Sequence, residues 1–301
     1  MDVTVFSPAK LNLFLAITGR RADGFHDLVS LAAPLTFGDE LDAEMGGGKR
    51  EAGGQRFSLR CDHPDVPVDG SNLVLRAAEA FAVAANWKGA VHFTLTKRIP
   101  VGAGLGGGSS NAAAALRALN RLAGAPLDEA QLAAVGATLG SDCVLFLRKA
   151  PVIMRGRGER LEDLPEPALA RLHGRRVLLF KPSFGIRTPW AYQRMIARGT
   201  DYVAAEAAER RLAAWVEGRG PAEELLFNNM EPAAFAKYGA LPLLLERLRR
   251  EFGAAVAMSG SGSACFALVG ESAGEAVVVG LKQVIRECWG EVTFVQDARL
   301  A

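Results

Sequence analysis

The chain has 301 residues, half of them apolar and 23% charged, which describes a compact globule of one large or two ordinary domains and excludes a disordered or fibrous chain. Its net charge of +2 is the small difference of 35 basic and 33 acidic residues, so no global field argues for nucleic acid or an anionic membrane as partner. Four cysteines, Cys61, Cys143, Cys265 and Cys288, lie far apart with no CxxC pair and few histidines near them, so they read as reduced, mostly buried thiols rather than metal ligands.

The first apolar stretch carries Pro8, Lys10 and Asn12, which suits neither a signal peptide nor a transmembrane helix; a cytoplasmic location is expected. Apolar alternation predicts short strands at Val3–Phe6, Leu11–Ile17, Phe57–Cys61 and Val91–Leu95. Asp69 to Asn72 offers N-caps to a first helix, LVLRAAEAFAVAA. A second helix is expected from Ser109–Asn111 to Gly124, and Pro126-Leu127-Asp128 caps a third. An apolar strand is predicted at Val144–Arg148. Gly156, Gly158, Pro165 and Pro167 then mark the passage between two domains, 1–160 and 161–301. Beyond it come a strand at Val177–Lys181, helices near Ala204–Val216 and Leu241–Phe252, a strand at Ala264–Val269 and a final helix–strand pair. Strands and helices do not alternate strictly, which favours an α+β fold over a doubly wound parallel sheet.

The strongest chemical signal is Pro100-Val-Gly-Ala-Gly-Leu-Gly-Gly-Gly-Ser-Ser-Asn111, with five glycines in seven residues running into an alanine-rich helix. Glycines let backbone N–H groups approach an anion closely, and a helix start adds unpaired donors at the positive end of its dipole. A phosphate chain is the natural guest; a flexible hinge is the bland alternative. Gly102, Gly104 and Gly107 also satisfy GxGxxG, but Lys97 to Pro100 separate the strand from the glycines. The next acid, Asp128, reads as a helix cap, so the dinucleotide context fails. A Walker loop and the HRD and DFG segments of protein kinases are absent.

Pro8-Ala-Lys-Leu-Asn-Leu13 and Met258-Ser-Gly-Ser-Gly-Ser-Ala-Cys265, taken with the glycine segment, resemble the three motifs of the GHMP kinases in the right order and across most of the chain. PAKLNLFL with ITGRRADGFHDL resembles the branch acting on a cytidine diphosphate derivative of methylerythritol. The resemblance implies a two-domain α+β GHMP kinase fold with the active site in the cleft between domains. It also implies ATP and Mg²⁺ as cofactors, and phosphorylation of the 2-hydroxyl of that alcohol on the non-mevalonate route to isoprenoid precursors. A small molecule is then the partner, with no nucleic acid, membrane or obligatory protein partner evident. No side chain is assigned to the metal.

Phosphoryl transfer asks for positioning, for electrostatic relief and for a carboxylate to receive the alcohol proton. Asp142 is expected in that role at a strand mouth, and a turn-capping Asp is the local alternative. Lys10 lies in an apolar run, where it must snorkel outward or meet a negative partner; the expectation is that it faces Asp142 and the acceptor oxygen. Asn12, two residues on, shares its strand face. By resemblance, Gly102, Gly104, Gly106, Gly107, Gly108, Ser109 and Ser110 hold the phosphates. Lys97 and Asn72 match positions near the nucleotide, with a surface lysine and a helix cap as their alternatives. Phe25 and His26 match the segment gripping cytosine, and Phe184 is the candidate second stacking face. Phe25 stands where relatives often carry Tyr, and Ser141, Cys143 and Val144 depart from the usual Ala, Val and Pro around the catalytic Asp. Three rivals remain: a GHMP kinase for another alcohol, a dehydrogenase resting on GxGxxG, and a nucleotide-binding protein without turnover. The presence of both Lys10 and Asp142 argues against the last.

Overall fold

The computed structural model describes residues 1–46, 56–270 and 273–301. Packing divides the chain into two units. The first holds Met1–Ala9, Phe37–Val101 and Gly106–Lys149, and the second Lys10–Thr36, Gly102–Leu105 and Ala150–Ala301. The division is discontinuous because two long strands, β1 (Asp2–Arg20) and β2 (His26–Met45), each contribute one end to either unit. It is a division by packing, whereas the 1–160 and 161–301 division is one in chain order.

In the first unit β2 pairs antiparallel with β4 (Val91–Thr96), from Glu40 opposite Thr96 to Met45 opposite Val91, and β3 (Phe57–Cys61) pairs parallel with β4. Alternate residues Phe57, Leu59, Val91, Phe93 and Leu95 point to the core, the period-2 signature of a half-buried sheet. Against them pack α1 (Leu73–Ala84), α2 (Gly107–Leu122) and α3 (Glu129–Leu139). Asn72 caps α1 by accepting from the Val74 N–H, and Asp128 with Gln131 closes a reciprocal capping box on α3. Ala112 to Ala115 are fully or nearly fully buried, and their small side chains let α2 lie deep in the unit.

Residues Ser141–Leu145 form a short helix, α4, where a strand was expected at Val144–Arg148. Val144, Leu145 and Phe146 are a buried apolar run without alternation, a pattern that periodicity alone cannot assign. The two strands predicted within residues 3–17 are likewise one, β1, buried on both faces from Ala9 to Ile17.

In the second unit β2 pairs with β5 (Val152–Gly156), β5 with β6 (Arg160–Asp163), and β1 runs parallel to β8 (Phe227–Asn228) at Phe14 and Leu15. A second, antiparallel sheet has the order β11-β7-β10-β9, built from β7 (Arg176–Lys181), β9 (Ala255–Met258), β10 (Cys265–Leu268) and β11 (Phe294–Arg299). Its helices are α5 (Glu166–Ala170), α6 (Thr188–Arg198), α7 (Ala205–Glu217), α8 (Glu231–Phe235), α9 (Ala240–Phe252) and α10 (Glu275–Trp289). Leu241, Leu244, Leu245 and Leu248 of α9 and Val278, Leu281 and Ile285 of α10 recur at helical spacing and seal this second core. All four cysteines are free: Cys143 and Cys265 are buried, Cys61 half-buried and Cys288 exposed. No helix among the described residues is long and apolar enough to cross a membrane.

Candidate active site

In the first unit the glycine segment enters α2 through Gly106, whose φ of 74° is in the left-handed region, and the helix begins with no side-chain cap. Its first i to i−4 bond is the one from the Ser110 N–H to the Gly106 carbonyl, at 2.9 Å. The N–H groups of Gly107, Gly108 and Ser109 therefore precede any intrahelical acceptor, which makes the helix start a place for an anion. Lys97 adds a cation there. A Cβ on Gly107 would stand 2.8 Å from Lys97 Nζ, so glycine lets the ammonium lie against the loop backbone.

The Lys97 side chain is 5% exposed and ion-paired with Asp39, so it is not the surface lysine of the bland reading. Asp39 is fully buried. Besides Lys97 it accepts from the Arg98 and Ile99 N–H groups, each at 2.7 Å, and from Asn111 Nδ2 at 2.8 Å. Asn111 Nδ2 also donates to Ser7 Oγ, which in turn donates to Ser110 Oγ at 2.8 Å. Ser110 is thus turned into the interior, and its hydroxyl is not offered to a phosphate. Its position on α2, one residue past the exposed end, is the physical reason. Asn72 spends its amide locally, accepting from Val74 and donating to the Pro67 carbonyl at 2.6 Å; the helix-cap reading describes its geometry.

Asp142 lies half-buried in the first turn of α4, two residues after Gly140, where an acid is favoured by the helix dipole. Its neighbour Cys143 is fully buried and hydrogen-bonded to Ser109, and burial pushes the thiol up to about 11, so it stays protonated and inert.

In the second unit Lys10 is 5% exposed and does not snorkel. Its ammonium donates to Asn12 Oδ1 at 2.5 Å and to the Gly104 carbonyl at 3.0 Å. The two-residue spacing does place Lys10 and Asn12 on one face. Asn12 is held in turn by donating to Ser30 Oγ at 2.9 Å, while Ser30 donates to the Phe14 carbonyl. Gly104, at φ 79°, packs so closely on Ser259 and Gly262 that a Cβ would collide with the Ser259 carbonyl and stand 3.0 Å from the Gly262 nitrogen. The Ala264 N–H donates to the Ala103 carbonyl, so the Ser259–Ala264 loop backs the segment Gly102–Leu105. Gly102 itself is exposed.

The aromatic candidates sit in the same unit. Phe25 is 52% exposed, with the Arg157 guanidinium 4.7 Å from its ring centroid. His26 is buried, stacked on Tyr192 at 4.4 Å, and its Nε2 lies 3.0 Å from Tyr202 Oη. Burial, then the charge of Arg20, holds its imidazole below its ordinary range, so it is neutral at pH 7. Phe184 stacks on Tyr238 at 4.9 Å. Sequence reasoning missed Tyr192, Tyr202 and Tyr238, which lie in helical or loop stretches without a distinguishing pattern. It also missed Asp39, whose one signal was an acid closing a long apolar run, Leu31 to Phe37.

Models of two families match the chain: the GHMP kinase N-terminal domain at residues 72–148 and the GHMP kinase C-terminal domain at residues 204–286. A 4-diphosphocytidyl-2-C-methyl-D-erythritol kinase of Methylacidiphilum infernorum is 38% identical over 267 residues, covering 88% of this chain and 86% of that protein. One from Synechococcus sp. (strain CC9902) is 38% identical over 286 residues, covering 89% and 88%. The crystal structure of a 4-(cytidine 5'-diphospho)-2C-methyl-D-erythritol kinase superposes with a TM-score of 0.76 at 34% identity, over 99% of this chain and all of the other.

Proposed function

This chain belongs to the 4-diphosphocytidyl-2-C-methyl-D-erythritol kinases of the GHMP superfamily, and we propose that it transfers the terminal phosphate of ATP to the 2-hydroxyl of that cytidine diphosphate alcohol. It is a small-molecule kinase with a GHMP fold. The observation that carries the phosphotransfer is the uncapped, glycine-lined start of α2 with Lys97 against it, and the choice of alcohol rests on the near full-length likeness to enzymes named for it. In the reaction the acceptor oxygen bonds to the terminal phosphorus as the bond to ADP breaks, and the acceptor proton passes to the Asp142 carboxylate. Lys10, oriented by Asn12 and the Gly104 carbonyl, offsets charge developing on oxygen. Gly102, Gly104 and the backbone of Gly106–Ser109 surround the phosphates.

Mg²⁺ is assigned to the nucleotide. No group of three or more His, Cys, Asp or Glu side chains suited to a metal occurs among the described residues, and Mg²⁺ bound with substrate needs only one or two protein oxygens besides phosphate. The Ser109 hydroxyl is a protein oxygen of the right hardness at the loop. The cytosine is assigned to Phe25, His26 and Phe184, with Tyr192 and Tyr202 fixing the His26 ring. A cytoplasmic location and the chain-order domains 1–160 and 161–301 complete the proposal.

The test is a phosphotransfer assay with the cytidine diphosphate alcohol beside its uridine analogue, mevalonate and simple sugars. Cytosine and uracil invert their donor and acceptor at positions 3 and 4, so kcat/KM should favour cytidine by at least about tenfold. Asp142→Asn should lower turnover by about 10²–10⁴ with ATP binding retained. Equal efficiency on both pyrimidines would remove the cytosine assignment, and transfer to mevalonate alone would remove the alcohol.

A further inference from the structure

Asn228 ends β8 in the second unit, 5% exposed, where β8 runs beside β1 at Leu15. Its amide is fully used. Nδ2 donates to the Met258 and Gly260 carbonyls, both at 2.8 Å, and Oδ1 accepts from the Met230 N–H at 2.9 Å. One residue, Ser259, lies between the two carbonyls. Ser259 Oγ donates to the Gly104 carbonyl at 3.2 Å, the same oxygen that accepts from Lys10 Nζ. Gly260 lies so near that a Cβ there would be 3.4 Å from both Lys10 Nζ and Asn12 Oδ1. Glu231, three residues after Asn228, accepts from the Met258 N–H at 2.8 Å and steadies the entry to the same turn.

We propose that Asn228 is a positioning residue for phosphoryl transfer, clamping the Met258–Gly260 turn so that the Ser259 hydroxyl carried on it fixes the Gly104 carbonyl and the Lys10 ammonium that shares it. Two donors on one planar amide are what the geometry requires. A carboxylate of the same shape would turn oxygen toward both carbonyls, and an aliphatic side chain would leave both without a donor. Asn228 bonds the Met258 and Gly260 carbonyls and the Met230 N–H, and it acts through the turn. The inference rests on the reading in which Lys10 supplies charge to the transfer.

The experiment is a double-mutant cycle with Asn228→Asp and Lys10→Met, read by single-turnover kinetics and by hydrogen exchange of the full-length protein. Asn228→Asp in the unmodified background should lower the transfer rate by at least about tenfold, with KM for ATP changed less than about twofold. In the Lys10→Met background it should change the rate by less than about twofold, because the group it positions is gone. Exchange should quicken at the Ser259 and Gly262 amides, which are bonded to the Ala264 and Ser259 carbonyls, and stay unchanged in the first unit. If Asn228→Asp does not fold, Asn228→Ser, which keeps one donor, carries the same comparison. An equal rate loss in both backgrounds, or unaltered exchange in the turn, would overturn the proposal. Exchange needs no substrate, so an unmodified enzyme inactive on the alcohol would sink the proposed function while exchange alone decided for or against the clamp.

Discussion

A fully buried carboxylate is tolerated only where donors replace the water it has lost, and Asp39 has four: Lys97, the Arg98 and Ile99 N–H groups, and Asn111. Three come from residues just before the glycine segment and the fourth from α2 just after it. One side chain therefore ties together the two flanks of a loop that cannot hold its own shape. Asp39→Asn keeps the volume but leaves Lys97 buried without a counter-charge, and turns an amide NH₂ toward donors. The expected loss is about 3–5 kcal/mol, read as a lower urea midpoint at unchanged slope. Lys97→Met should cost less, since three donors to Asp39 remain. An Asp39→Asn protein as stable as the parent would show that the network contributes nothing net.

The opening of α2 shows which glycines serve the fold and which serve the guest. Gly106 needs its left-handed φ, and Gly107 needs the missing Cβ because Lys97 lies 2.8 Å away from where one would stand. Gly108 needs neither: it is helical, exposed, and a Cβ there would meet only Leu73 Cδ1 at 3.7 Å. Gly108→Ala should thus stabilise the first turn of α2, by at most the gain of about 0.5–1 kcal/mol found in a helix interior. If the site is open because a phosphate fills it, the same change should raise KM for ATP by about tenfold, measured alongside a thermal melt. A gain in stability with unchanged ATP affinity would move the phosphate away from Gly108. The element was legible in the sequence because glycines, serines and an alanine run announce both the loop and the helix. Strands β3 and β4, and helices α1 and α9, were legible through one-sided apolar spacing, and α3 through its Asp128 cap. β2 was not, because Val29 to Leu35 are buried throughout and carry no alternation, with Pro34 and Gly38 as false breaks. The Lys10–Asn12 pair could be read from strand spacing. The Asp39 network and the Asn228 clamp could not, since their partners lie about 30–100 positions away in sequence, beyond any local pattern.

At the scale of the whole molecule, buried ionisable groups set how stability follows pH. Glu231 has its carboxyl held above its usual 4.5, first by burial, against the opposing Met258 N–H bond and the charge of Arg249. From 4.5 up to its raised value the folded state holds the proton while the unfolded state releases it, so the folded form binds more protons and stability falls as pH rises through that window. His26 works the other way, since burial lowers its imidazole below 6.5; there the unfolded state binds more protons and stability rises with pH. Exposed acids paired with arginine, such as Glu251 with Arg247, are held low and lose their contribution only toward acid pH. The Glu231 contribution can be isolated with Glu231→Gln, whose Oε1 can still accept from Met258 but cannot ionise. In urea titrations from pH 4 to 8 the variant should gain on the parent as pH rises above about 4.5 and reach a plateau once Glu231 is ionised in both states. Because the two proteins share every other titrating group, their difference cancels His26 and the surface acids. A difference that stays flat with pH would mean that Glu231 has the same affinity for its proton folded and unfolded, and that the interior around Met258 is wetter than its burial implies.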